Sequence, residues 1–169
     1  MSSLANSEVR LRRASGADIA YILKAERLPG YEHLVACWSA DEHWRAMASL
    51  DTAYWILESP DQTALGFAIL DGLRDRHQGV KLKRIVMDSP GHGLGYGFLR
   101  ALGDWVFTQT PSERWWLDVF ATNTRARRAY LKIGMTEDGV LRQAYVLPDG
   151  TRADRVLMSV LRGEWQTHP

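Results

Sequence analysis

The chain has 169 residues, 46% of them hydrophobic and 24% charged, which fits a single domain, 1–169, with a substantial core. Its 21 Lys plus Arg against 20 Asp plus Glu leave no global field to recruit nucleic acid or a membrane surface. The single cysteine, Cys37, excludes a disulfide framework and a cysteine-rich metal site, and no apolar run reaches the length of a membrane span.

The N-terminus, MSSLANSEVR, lacks the apolar core of a signal peptide, so a cytoplasmic protein is expected. From Val9 to Arg13 apolar and basic residues alternate, as in a half-buried strand. Ile19, Ile22 and Leu23 then set a helical stripe that stops before Pro29-Gly30. Ser39-Ala40-Asp41-Glu42 carries the S-x-x-E spacing of a capping box and predicts a second helix to about Leu50. Tyr54–Glu58 and Leu65–Leu73 are rich in aromatic and aliphatic residues, with the turn signal Ser59-Pro60-Asp61 between them, which predicts a hairpin.

The next stretch is the most informative. KLKRIVMD reads as a strand, SPGHGLGYG as a loop dense in glycine, and FLRALGDWVFTQ as an amphipathic helix. Leu94, Phe98, Ala101, Leu102 and Trp105 fall on one helical face. Gly91, Gly93, Gly95 and Gly97 alternate where strand becomes helix. Without side chains there, backbone N–H groups stay uncovered, and the first helical turn has donors with no partner inside the helix. With the positive end of the helix dipole, they form a cradle for a phosphate or pyrophosphate. The plainer reading is a turn, with Ser89 as cap and Pro90 as the first helical residue. Trp115–Phe120 follows as a buried strand, Asn123 opens a helix that Gly134 closes, and Met135–Leu161 reads as two strands around the Pro148-Asp149-Gly150 turn. The expected class is α/β (α+β): one mixed, mostly antiparallel sheet flanked by helices.

With those elements placed, the chain resembles the GNAT superfamily of N-acetyltransferases over nearly its whole length. The family's Q/R-x-x-G-x-G/A signature corresponds to Pro90-Gly91-His92-Gly93-Leu94-Gly95. Its second signature corresponds to Asn123, Tyr130 and Lys132-Ile133-Gly134-Met135. The pattern from Gly139 to Met158 is similar to the subgroup of ribosomal-protein N-terminal and small-amine acetyltransferases. The resemblance implies acetyl-CoA as co-substrate, no metal, and direct transfer to a primary amine in a ternary complex. It implies that Ile85, Val86 and Met87 offer backbone groups to pantetheine, and that Gly91, His92, Gly93, Leu94, Gly95, Tyr96 and Gly97 surround the pyrophosphate. Asn123 would bond the pantetheine arm or cap its own helix, and Arg127 or Arg128 would meet the outer phosphates. Tyr130, two helical turns after Asn123, would give its phenolic proton to the departing thiolate.

Two departures stand out. Pro90 replaces the usual Gln or Arg and has no N–H to donate. Lys81 stands where many relatives carry a carboxylate that acts as general base, and an ammonium cannot accept a proton at neutral pH unless its pKa is strongly depressed. The remaining candidates are Glu26, Glu32, Glu42, His33, His43 and Asp88, with Glu26 and Glu32 placed first. Tyr31, Trp38, Trp44 and Trp55 are available either as walls of an acceptor pocket or as ordinary core. The acceptor expected from the resemblance is a small-molecule amine or a protein N-terminus, with neither nucleic acid nor membrane as partner, and the protein as a monomer or homodimer. Two rival readings share these residues: a silent acyl-CoA-binding module, motivated by Lys81, and a dinucleotide-binding domain. The second is disfavoured because Phe98 occupies the last glycine position of G-x-G-x-x-G.

Overall fold

The computed structural model describes residues 9–165. Residues 1–8, which carry most of the leader reading, and residues 166–169 lie outside that range. Seven strands form one sheet: β1 (Arg10–Arg13), β2 (Thr52–Glu58), β3 (Ala64–Asp71), β4 (Gly79–Met87), β5 (Arg114–Phe120), β6 (Thr136–Val146) and β7 (Arg152–Leu161). The helices are α1 (Ile19–Ala25), α2 (Ala40–Ala48), α3 (Leu94–Gln109), α4 (Thr124–Lys132) and the short α5 (Arg162–Trp165). The strand order is β1-β2-β3-β4-β5-β7-β6, and every neighbouring pair is antiparallel except β4 and β5. α3 supplies the crossover that a parallel pair requires. Element order and sheet type match the expectation; α5 is an addition.

Local chemistry sets the boundaries. Ser39 Oγ accepts from the Glu42 amide while the Glu42 carboxylate accepts from the Ser39 amide at 2.7 Å, so the capping box starts α2 as its spacing predicts. Gly134 (φ +98°) ends α4, with the Met135 amide bonded back to the Tyr130 carbonyl at 3.0 Å. Gly150 (φ +83°) turns β6 into β7.

Each face of the sheet has its own core. α1 covers Tyr54, Ile56, Phe67, Ile69 and Val86, while α3 and α4 cover Trp55, Leu70, Leu82, Leu117 and Met158. The buried stripe of α3 is broader than predicted and shifted: Phe98, Leu99, Leu102, Val106 and Phe107 are buried, while Ala101 and Trp105 sit at its edge. The C-terminal Trp165, packed on Phe107 and Trp115, explains why the stripe widens there.

One irregularity in β4 positions everything that follows. Ile69 pairs with Arg84 and Leu70 with Leu82, which leaves Lys83 as an extra residue, a β-bulge. A bulge bends its strand and shifts the side-chain alternation by one. Val80 and Leu82 therefore face α3, but Arg84 and Val86 face α1. β4 and β5 pair only at Gly79–Arg114, Val80–Trp115 and Lys81–Trp116. Beyond Lys81, where the bulge begins, the two strands part.

Candidate active site

The parting of β4 and β5 opens a cleft of about 390 Å³. Ile85 and Met87 line one wall, Asp118 and Phe120 the other, with the glycine loop at one end and α4 above. Met87 lies opposite Gly66, and its N–H and C=O both meet the Tyr31 hydroxyl, at 3.2 and 3.0 Å, so they point away from β3. By the alternation of an antiparallel ladder, Val86 turns its own backbone groups to β3. Its side chain is buried under α1, so Val86 is outside the cleft, unlike Ile85 and Met87.

The glycine loop separates into two functions. Gly91 (φ +100°) and Gly93 (φ +79°) hold left-handed backbone that other residues rarely adopt, and Gly93 is the cap of α3. This displaces the reading in which Ser89 caps the helix and Pro90 opens it. Gly95 needs no special angle, yet an added Cβ there would meet nothing within 4 Å. The first turn of α3 therefore presents bare amides to the cleft, which Pro90, Gly91, Gly93, Gly95 and Tyr96 line. His92, Leu94 and Gly97 do not line it: His92 and Gly97 are exposed, and Leu94 packs toward the core.

From α4 come Asn123, Tyr130 and a cation. Asn123 Oδ1 accepts from the Ala126 amide at 3.2 Å, capping the helix, and its amide NH₂ remains beside the cleft. Tyr130 is 7% exposed and lines the same cleft, and its hydroxyl has no protein hydrogen-bond partner among the described residues. Burial pushes its phenol up to about 12, partly offset by the charge of Arg155. Arg127 is directed elsewhere: its guanidinium bonds Glu137 and the Ala121 carbonyl. Arg125 lines the cleft in its place. Arg125 lies two residues nearer the start of α4 than Arg127, and spacing alone does not separate the two.

The carboxylates proposed as bases are committed. Glu26 is 0% exposed. It pairs with Arg84 and accepts from the Trp38 amide at 3.0 Å, with His43 Nε2 3.2 Å away. His43, also fully buried, bonds the Tyr54 hydroxyl through Nδ1 at 3.0 Å. Glu32 accepts from the Gly30 amide within its own loop, Glu42 caps α2, and Asp88 accepts from the Tyr21 hydroxyl. Of the aromatics considered for the acceptor wall, Tyr31 lines the cleft; Trp55 belongs to the core, and Trp38 stacks beneath Arg84 at 4.6 Å. Trp44 is 54% exposed and packs over Gly16, leaving no room for a Cβ there.

A second charged group occupies the vertex where the strands part. Lys81 pairs with Asp118 at 2.5 Å, and Arg155 bonds the same carboxylate at 2.7 Å while lying 4.3 Å over the Phe120 ring. Burial works against the charge of Asp118, but Lys81 and Arg155 together hold its carboxyl below the usual range. Alternation in WWLDVF gives Asp118 the face opposite Leu117, yet nothing in the sequence joins it to Lys81 or Arg155.

Comparisons with known proteins agree with this geometry. Residues 8–136 match the model of the acetyltransferase (GNAT) domain family. A chimera of the Vibrio cholerae spermidine N-acetyltransferase SpeG and hSSAT superposes with a TM-score of 0.86 at 19% identity, covering 96% of this chain and 100% of that one. The Vibrio cholerae spermidine N-acetyltransferase in complex with CoA and spermine gives a TM-score of 0.83 at 19% identity, again over 96% and 100% of the two chains. A mutant form of the Vibrio cholerae SpeG enzyme gives 0.83 at 19%, over 96% and 98%. At such identities the structural likeness speaks for the fold.

Proposed function

The chain belongs to the GNAT acetyltransferases, and from that premise we propose that it moves the acetyl group of acetyl-CoA to a small primary amine by direct attack in a ternary complex. The pyrophosphate lies on the bare amides of Gly93, Gly95 and their neighbours at the start of α3, with Arg125 available to an outer phosphate. Pantetheine enters the gap between β4 and β5 and pairs with the free backbone edge at Ile85, while Tyr31 closes that edge at Met87. A main-chain N–H of β4 polarises the thioester carbonyl. The amine attacks that carbonyl, the C–S bond breaks, and Tyr130 protonates the leaving thiolate.

The observation that carries this reading is Tyr130: a buried phenol, neutral at physiological pH, whose hydroxyl has no protein hydrogen-bond partner among the described residues where the cleft needs a donor. A tyrosine kept only for packing satisfies its hydroxyl locally. The chain's likeness to a spermidine N-acetyltransferase bound to CoA and spermine supports a CoA co-substrate and a small amine acceptor.

Calorimetric titration with acetyl-CoA and with NAD, followed by thiol release against a panel of amines, tests the proposal. Acetyl-CoA binding with amine-dependent thiol release is expected. Binding of NAD alone would overturn it. The silent-module reading draws on Lys81 and its neutralised neighbour Asp118, and acetyl-CoA binding without thiol release from any amine would favour it.

A further inference from the structure

The Lys81–Asp118–Arg155 cluster borders the cleft yet has no part in the chemistry above, and an inference about it rests on the acetyl-transfer reading. Asp118 is shared. Lys81 Nζ lies 2.5 Å from one of its oxygens, and Arg155 donates through Nε to the other at 2.8 Å. Arg155 also donates through Nη2 to the Asp118 carbonyl, a neutral acceptor, at 2.7 Å. Two cations against one carboxylate leave the trio with one net positive charge. Lys83 and Arg84 differ, since each has a carboxylate of its own in Asp71 and Glu26.

Arg155 is fixed in place. Its guanidinium lies 4.3 Å over the Phe120 ring and 5.4 Å over that of Tyr145, and its side chain is 17% exposed. A guanidinium carries five N–H donors in a rigid fork, and Nη1 has no protein hydrogen-bond partner among the described residues. Val156 and Met158 of β7 pack in the core beneath α3 and α4, so Arg155 stands on the opposite face of the sheet. Tyr130 belongs to the α4 side, yet both residues line one cleft, because β4 and β5 part between them. Arg155 of β7 and Tyr31 of the loop after α1 are the titratable groups that act on the Tyr130 hydroxyl from other elements, and of these Arg155 carries the charge.

The need for a cation there is chemical. Burial pushes the Tyr130 phenol up to about 12, whereas an ordinary thiol has a pKa of ~8.5. Passing a proton from that phenol to a thiolate runs uphill and leaves a phenolate among apolar side chains. A positive charge already held in position stabilises such an anion without reorganisation.

We propose that Arg155 is a positioning residue for the acid step: anchored by Asp118, whose charge Lys81 shares, it stabilises the phenolate that Tyr130 becomes. The amine lone pair forms the C–N bond as the C–S electron pair goes to sulfur, which takes the Tyr130 proton. The proton lost by nitrogen passes to water, and water restores the phenol, so that amide and thiol balance amine and thioester.

The test compares single-turnover thiol release in the parent, Arg155→Ala, Tyr130→Phe and the double variant. The acceptor is the fastest of spermidine, glucosamine and an unblocked peptide, and calorimetry first establishes acetyl-CoA binding for each protein. Arg155→Ala should release thiol about tenfold to a hundredfold more slowly with acetyl-CoA affinity retained. Added guanidinium should restore much of the rate, whereas urea, a neutral molecule of the same shape, should not. In the double variant the loss should not exceed that of Tyr130→Phe, since Arg155 acts through the phenol. Should Arg155→Ala fail to fold, Arg155→Lys and Arg155→Gln make the same comparison, with the lysine variant faster by about tenfold. An unchanged rate in Arg155→Ala, equal rescue by urea, or losses that add in full across the two sites would each overturn the proposal while leaving acetyl transfer intact. Absence of thiol release from the parent with every acceptor would overturn both readings.

Discussion

Replacing Glu26 by Gln separates a structural ion pair from a catalytic base. The carboxylate is fully buried and faces Arg84, itself 7% exposed, and its second oxygen accepts from the Trp38 amide. Gln preserves the volume and the bond to Trp38 but leaves the Arg84 charge buried without its counter-ion. Breaking a buried pair from one side costs about 3–5 kcal/mol, because the remaining charge stays desolvated. Arg84 keeps its contact with the Trp38 ring at 4.6 Å, so the lower end, about 3 kcal/mol, applies here. For a domain of this size that lowers Tm by about 6–12 °C. Differential scanning calorimetry should find that fall, and the double variant Glu26→Leu with Arg84→Met should recover most of it, since an apolar pair of similar volume removes both charges. Well below the transition, kcat of Glu26→Gln should stay within a few-fold of the parent. An unchanged Tm with kcat down about a hundredfold would refute the reasoning and restore Glu26 as proton acceptor.

The other expectations concern the loop, the acid and high pH. Gly91→Ala forces a methyl-bearing residue to φ +100° and should cost about 1–2 kcal/mol in urea denaturation, whereas Gly95→Leu meets open space and should leave stability unchanged or raise it. Calorimetry should show the reverse ranking for function, with Gly95→Leu weakening acetyl-CoA at least about tenfold by covering the amides. Tyr130→Phe should lower kcat by about 10²–10⁴ while acetyl-CoA affinity is retained, and full kcat in that variant would remove Tyr130 from the chemistry. Burial pushes the phenols of Tyr54 and Tyr130 up to about 12, so between pH 10 and 12 they ionise in the unfolded chain before the folded one. The unfolded state then holds fewer protons, and stability should fall by about 1–2 kcal/mol per pH unit, which chemical denaturation at pH 9, 10 and 11 would detect.

Much of the architecture was legible because local signals agreed with the tertiary result. The Ser39–Glu42 capping box, the Asp149-Gly150 turn and Gly134 each act within a few residues, and each stands where the sequence put it. The shift of the α3 stripe was not fully legible, because Phe107 and Gly103 pack against Trp165, which arrives from far along the chain. Similarly, the glycine alternation pointed to the loop but could not divide it. Gly91 and Gly93 are fixed by backbone angle, whereas Gly95 and Gly97 both stand before open space and only Gly95 lines the cleft.

The pairing of Glu26 with Arg84 has one physical origin, and so does the cleft itself. In a regular strand Arg84 would follow Val80 and Leu82 onto the α3 face, where a guanidinium has no place among Phe98, Leu102 and Leu117. Inserting Lys83 as a bulge carries Arg84 to the opposite face, and only there does burying it require a carboxylate, which Glu26 supplies. The same inserted residue bends β4 away from β5 just past Lys81, freeing the backbone edge at Ile85 and exposing the facing Asp118. A bulge leaves little trace in KLKRIVM, since alternation read from Val80 to Leu82 and from Ile85 to Met87 looks regular within each half. The acid that seemed free to take a proton is therefore the counter-ion of the guanidinium that the bulge carries across the sheet.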